Sequence, residues 1–178
     1  MESVLAFDMG TRNLAFALVR EPNVVQRVGM IDLQKHAARE SSDALIQTLF
    51  GDNRWMLDAR CSVVIELQPR SGVCKVLSHV LAAVFRTFDL AEFPDDPPRT
   101  IRFMHATKKF AADPDTYARL APASYPERKE AAVIICRTIL QNQPTDTCLA
   151  FFEGRNAKQK TDVADAVLQG CAFWAGKK

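Results

Sequence analysis

Histidine is scarce in this chain: there are three in 178 residues, His36, His79 and His105. They stand too far apart to make a recognisable zinc motif. His36 and His79 read as helix or loop surface residues and His105 as a candidate substrate contact. Cysteine is also sparse, and its count of five (Cys61, Cys74, Cys136, Cys148, Cys171) is odd, with no CxxC pair. Most sit among apolar neighbours, as reduced buried thiols of an intracellular protein do. Seven glycines, none clustered, leave no phosphate-cradling loop. No apolar run approaches the ~18 residues that span a bilayer, so no membrane partner is expected. Met1-Glu2-Ser3 lacks the basic flank of a signal peptide. Internal repeats, low-complexity tracts and linkers are missing too. These absences leave one globular domain over residues 1–178, expected to be intracellular.

A hydrophobic content of 48% gives that domain enough material for a sizeable core. The net charge of +2 says little, but its distribution is uneven. Residues 1–97 carry 10 Lys/Arg against 13 Asp/Glu, and residues 98–178 carry 13 against 8. A basic C-terminal half is suited to a polyanion, though on charge alone a solvated mixed-charge surface is the simpler account.

The organising stretch is Val4-Leu5-Ala6-Phe7-Asp8-Met9-Gly10-Thr11-Arg12-Asn13, followed by Leu14 to Val19. It reads as a buried strand, a turn at Gly10 and a second strand returning beside it. A charge such as Asp8 at the end of a buried strand costs several kcal/mol unless it is paired or bound to a cation. An Asx-type bond within the turn is the simpler alternative. Val24 to Leu33 is a third strand, close enough to pair antiparallel. Ser41-Ser42-Asp43 begins a helical face interrupted at Gly51.

Cys61 to Leu67 is a β-branched strand that also ends in a carboxylate, Glu66. Gly72 to Phe88 is an amphipathic helix, Phe93 to Pro98 a loop, and Thr100 to Met104 a strand. Thr107 to Phe110 begins a short helix or a loop. Ala112 to Ser124, with its prolines, is expected to be irregular. Pro126 opens a helix that ends at Asn142-Gln143-Pro144, and Thr161 to Ala175 forms the last helix. Strands followed by alternating strands and helices make an α/β domain with a mixed sheet.

On the last helix Asp162 and Asp165 share a face, with Gln169 a turn further along. Taken alone, acids in a first turn merely complement the helix dipole. Taken with Asp8 and Glu66, they make four carboxylates whose convergence requires cations. Oxygen ligands without His or Cys select Mg²⁺, with Mn²⁺ as a substitute. Two such ions, ~3.5–4 Å apart, activate water and stabilise the leaving oxygen in phosphodiester hydrolysis.

Three pieces in order resemble the RuvC-like Holliday junction resolvases, in particular their poxvirus-type branch in large DNA viruses: Phe7-Asp8-Met9-Gly10-Thr11-Arg12-Asn13, Val64-Ile65-Glu66-Leu67-Gln68, and Lys158-Gln159-Lys160-Thr161-Asp162-Val163-Ala164-Asp165-Ala166. The resemblance implies an RNase H-like fold with a mixed five-stranded sheet, its first three strands antiparallel, flanked by helices. It also implies a homodimer that makes paired, Mg²⁺-dependent nicks across a four-way DNA junction. By motif, Asp8, Glu66, Asp162 and Asp165 would be catalytic metal ligands for two ions. A catalytic Lys is implied at Thr107-Lys108-Lys109, where Lys108 is favoured over Lys109. Ser124-Tyr125-Pro126-Glu127-Arg128-Lys129 resembles a Tyr-x-x-Arg-Lys element of the viral branch. Lys109, Arg128, Lys129, Lys158 and Lys160 are then candidate DNA contacts. A viral source would place the enzyme in the host cytoplasm or at a viral replication site.

Three alternatives remain open. An RNase H-like nuclease acting on RNA or other branched DNA would use the same acids. A junction-binding protein without activity would not need them. The Asp-Met-Gly-Thr opening also resembles the first phosphate loop of the actin-like ATPases, which require further Gly-rich loops.

Overall fold

The computed structural model describes residues 2–21, 23–33, 41–68 and 72–176, and His36 lies outside these. Five strands form one sheet: β1 (Val4–Met9), β2 (Asn13–Glu21), β3 (Val24–Asp32), β4 (Ser62–Leu67) and β5 (Ile101–His105), in the order β3-β2-β1-β4-β5. The β1–β2 and β2–β3 pairs are antiparallel, and β4 joins β1 and β5 in parallel. This is the mixed sheet expected from the sequence.

Side-chain alternation sends each strand's residues to two separate cores. Leu5, Phe7, Met9, Val63 and Ile65 face one side of the sheet. There they meet α1 (Ser41–Phe50), the short α2 (Trp55–Asp58) and α3 (Val73–Glu92). Val4, Ala6, Ala15, Ala17 and Val64 face the other side. They pack against α5 (Tyr125–Gln141), α6 (Thr147–Glu153) and α7 (Ala157–Ala175). A 3-10 helix (Ala106–Ala112) and α4 (Pro114–Leu120) connect β5 to α5.

Two expectations are corrected. Residues 112–124 are not wholly irregular. The Asp113 carboxylate accepts the Thr116 N–H at 3.0 Å, Pro114 occupies the first turn, and α4 follows. A proline at a helix start forgoes no bond, because its N–H would be unpaired there anyway. The last helix also starts earlier than Thr161. Asn156 and Gln159 form a reciprocal capping box, so Asp162 and Asp165 lie in the helix body. The dipole fades within the first turn, so it cannot account for Asp162 and Asp165. Helix α6 has no counterpart in the sequence reading.

Candidate active site

Parity brings the acids together. Asp8 follows Val4 and Ala6 onto the α7 side of the sheet, and Glu66 follows Val64 to the same side. The last registered pair of these parallel strands is Phe7↔Ile65, so Asp8 and Glu66 come next, side by side. Helix α7 crosses above them. It can approach closely because Gly170 has no side chain: a Cβ there would lie 2.6 Å from Val19 Cγ2 and 3.4 Å from the Ala6 Cβ. Asp165, just over one turn earlier, reaches the two strand acids. Oxygens of Asp8, Glu66 and Asp165 lie within 4.8 Å of one another.

Burial and mutual repulsion shape their ionisation. Asp8 is pushed well above the usual carboxylate range, first by burial and then by the negative charges of Asp165 and Glu66. Glu66 is raised by burial and then by Asp165. Two lysines answer this charge. Lys109 Nζ lies 2.6 Å from Asp165 Oδ1, and Lys129 Nζ lies 2.6 Å from Asp165 Oδ2. Burial alone would lower the Lys129 pKa, but Asp165 reverses that and pushes it up. The Gln169 side-chain N–H donates to Glu66 Oε2 at 2.8 Å.

Two raised carboxyls and a third shared by two ammonium groups form a hard-oxygen donor set with charge to spare. That set fits a divalent cation of the Mg²⁺ or Mn²⁺ kind.

No protein-family model matches the sequence, and no curated protein matches it. Solved structures do. RuvC from Thermus thermophilus, in complex with a Holliday junction substrate, superposes with a TM-score of 0.60 at 12% identity, over 98% of this chain and 94% of that one. A second structure of Thermus thermophilus RuvC gives 0.57 at 12% identity, over 98% and 95%. The yeast mitochondrial Holliday junction resolvase Ydc2 gives 0.63 at 12% identity, over 99% and 81%. The fold is RNase H-like.

Within this RNase H-like frame, the other expected site residues fall into distinct places. Asp162 is half-buried and adds to the charge that raises Asp8, yet it stands outside the trio within 4.8 Å. The choice of Lys108 over Lys109 is not matched by the geometry. Lys108 is exposed and lines a different hollow with Arg102, Phe103 and Phe173, whereas Lys109 is buried against Asp165. In a 3-10 helix residues three apart share a face, so Lys109 turns inward with Ala106 and Ala112 while Lys108 turns out with Ala111.

Lys109 is therefore bound to a carboxylate of the acid cluster. Lys129 likewise belongs to the acid cluster. Lys160 is held at 2.5 Å by Glu153, which Arg137 also grips at 2.5 Å. Burial raises the Asp162 pKa, and Lys129 and the exposed Lys158 offset part of that rise. Arg128 is half-buried in the first turn of α5. His105 is exposed at the end of β5, and His79 packs against Phe103 with centroids 5.1 Å apart and planes tilted at 45°. No helix of the described residues is long and apolar enough to cross a membrane.

The raised acids have a consequence for stability. The unfolded chain ionises at ordinary carboxylate values, while the folded chain still holds the protons of Asp8, Glu66 and Asp162. Stability in EDTA therefore falls as pH rises from the ordinary carboxylate range until the raised values are passed. Thermal melts in EDTA should show a lower Tm at pH 8 than at pH 5. Adding Mg²⁺ should raise Tm more at pH 8. A Mg²⁺ effect equal at both pH values would count against a site built on these acids.

Proposed function

We propose that the chain is a divalent-metal-dependent endonuclease that resolves four-way DNA junctions by paired, symmetric nicks. The observation that carries this reading is the convergence of Asp8, Glu66 and Asp165 within 4.8 Å. Its context is a fold shared with RuvC in complex with a Holliday junction substrate. Residues 1–178 are read as one nuclease domain.

Asp8, Glu66 and Asp165 would hold the cation, with Asp162 at its margin. A bound divalent cation, or a pair of them, would supply a nucleophilic water at neutral pH and neutralise charge on the phosphate. The chain's own groups do the rest. Gln169 fixes the Glu66 carboxylate through its N–H. Lys109 and Lys129 each grip one oxygen of Asp165 and bring two positive charges to where a phosphate would gain negative charge. Cleavage would leave a 5′-phosphate and a 3′-hydroxyl. Arg128 and the exposed Lys158 are the remaining candidate phosphate contacts, and such contacts make binding strongly salt-dependent.

Paired nicks on opposed strands require two sites, hence a homodimer. Helix α3 supports one. Val73, Val76 and Leu90 are 53%, 59% and 61% exposed along its length, an apolar stripe that a second copy would cover. The resemblance to the poxvirus-type branch rests on the three pieces around Asp8, Glu66 and Asp162-Asp165 together with the Tyr125-x-x-Arg128-Lys129 element.

The deciding experiment compares a synthetic four-way junction with a linear duplex of the same sequence, in Mg²⁺ and in EDTA. Paired metal-dependent nicks at the branch support the proposal. Equal cutting of both substrates would reduce it to a broader nuclease, and binding without cutting would overturn it. The lysines provide a sharper check. Lys109→Met should slow single-turnover cleavage about a hundred-fold, the scale of losing one preorganised donor. Lys108→Met should change the rate less than about two-fold, since the side chain points away from the acids. The reverse ranking would return the role to Lys108.

A further inference from the structure

A hollow of about 260 Å³ opens beside the acid cluster. Ala106, Thr107 and Phe110 of the 3-10 helix form one side, and Tyr125 and Arg128 of the first turn of α5 form the other. Lys109 and Lys129 line it as well, and both also bind Asp165. Its lining thus holds three cations and no carboxylate.

Tyr125 is the unusual member. Its neighbour Phe110 is buried and stacked on Tyr117, with centroids 4.0 Å apart and planes at 20°. Tyr125 is 65% exposed. Its backbone is nonetheless fixed. Ser124 and Glu127 close a capping box on either side of it, and Glu127 Oε2 accepts the N–H groups of Ala123 at 2.7 Å and Ser124 at 2.9 Å. The Lys129 ammonium lies 5.8 Å from the Tyr125 ring centroid and 2.6 Å from Asp165 Oδ2. One ammonium group therefore bridges the ring and the acid cluster.

We infer that this hollow seats an unstacked nucleobase next to the cut phosphate, against the face of Tyr125; the inference rests on the nuclease reading above. A base has a flat apolar face and polar edges, and the hollow offers an aromatic face, apolar walls, and the Thr107 hydroxyl and Arg128 guanidinium for the edges. Its cationic lining suits the attached phosphates. The bases at a branch point are the ones most easily taken out of a stack.

The test is a cycle between protein and substrate. Junctions carry an abasic nucleotide at each of the two positions on either side of the cut, in turn, and single-turnover cleavage is measured with wild type, Tyr125→Ala and Tyr125→Phe. At one position the abasic substrate should cost wild type roughly ten-fold, the scale of one lost stacking contact. Tyr125→Ala should cost the same on the intact junction, and the two losses together should not compound. Tyr125→Phe, which keeps the ring, should restore the rate. Losses that multiply at every position, or a neutral Tyr125→Ala, overturn the base pocket while leaving the nuclease intact. Failure of wild type to cut any junction overturns the nuclease reading and the pocket with it.

Discussion

Asp8→Asn should lose cleavage of a four-way junction by more than about a hundred-fold while binding the junction as tightly as wild type. Residues that merely orient metal ligands are typically worth 10–100-fold, and Asp8 is proposed as a ligand itself. The substitution removes a charge with almost no change of shape at the end of β1. DNA affinity should survive, because the candidate phosphate contacts, Arg128 and Lys158, are untouched. The variant should also be more stable than wild type in EDTA at pH 8, since Asp8 carries the cost of burial and of repulsion from Asp165 and Glu66. That combination, dead yet stabilised, separates a functional acid from a structural one. Gel-shift titration, single-turnover cleavage and a thermal melt on one preparation measure all three. Near-wild-type turnover would remove Asp8 from the site, and a lower Tm would show that the carboxylate supports the fold.

The acid cluster was legible because of where its members fall in simple patterns. Asp8 and Glu66 each close an apolar strand, and period-two alternation puts both on the side of Val4, Ala6 and Val64. What alternation could not supply was the distance from α7, which depends on Gly170 and the small Ala6, Ala15 and Ala17 beneath the helix. Lys109, rather than the favoured Lys108, lies against Asp165 for a local reason. Lys108 and Lys109 are adjacent, and only the 3-10 geometry decides which one turns inward. A three-residue period through Ala106, Lys109 and Ala112 was the available signal. Helix α4 is hidden in the sequence because Asp113-Pro114 signals a break as readily as a helix start. Gln169 shares the acidic face, but its partner Glu66 lies 103 residues away in sequence. No local pattern encodes such a pairing.

The same limit applies to the strongest polar anchor away from the site. Asp89 and Arg99 are each 1% exposed at the side chain and meet at 2.6 Å. Arg99 Nε donates to both Asp89 oxygens, at 2.9 and 3.0 Å. The Arg99 backbone N–H adds a bond to Oδ2 at 2.8 Å. One guanidinium nitrogen also reaches the Leu57 carbonyl at 2.6 Å. Arg99 thereby ties α3, α2 and the approach to β5, the strand that leads to Lys109. Burial alone would raise the Asp89 pKa, but its bonds to Arg99 and the guanidinium charge lower it. The pair's contribution is therefore complete above the ordinary aspartate range and is lost as pH falls through the lowered value.

Arg99→Met should destabilise the protein by about 3–5 kcal/mol, because it leaves the buried Asp89 carboxylate with only the backbone N–H of residue 99 and strands the Leu57 carbonyl. For a chain of this size that is a fall in Tm on the order of 10 °C. Asp89→Leu should cost a similar amount by stranding the guanidinium. The double variant should be more stable than either single one, since no unpaired charge remains. If the two losses simply add in denaturant titrations, the pair is not coupled and the anchor is ordinary packing. Junction cleavage by folded Arg99→Met, assayed well below its Tm, should stay within a few-fold of wild type, because the acids of β1, β4 and α7 do not touch this pair.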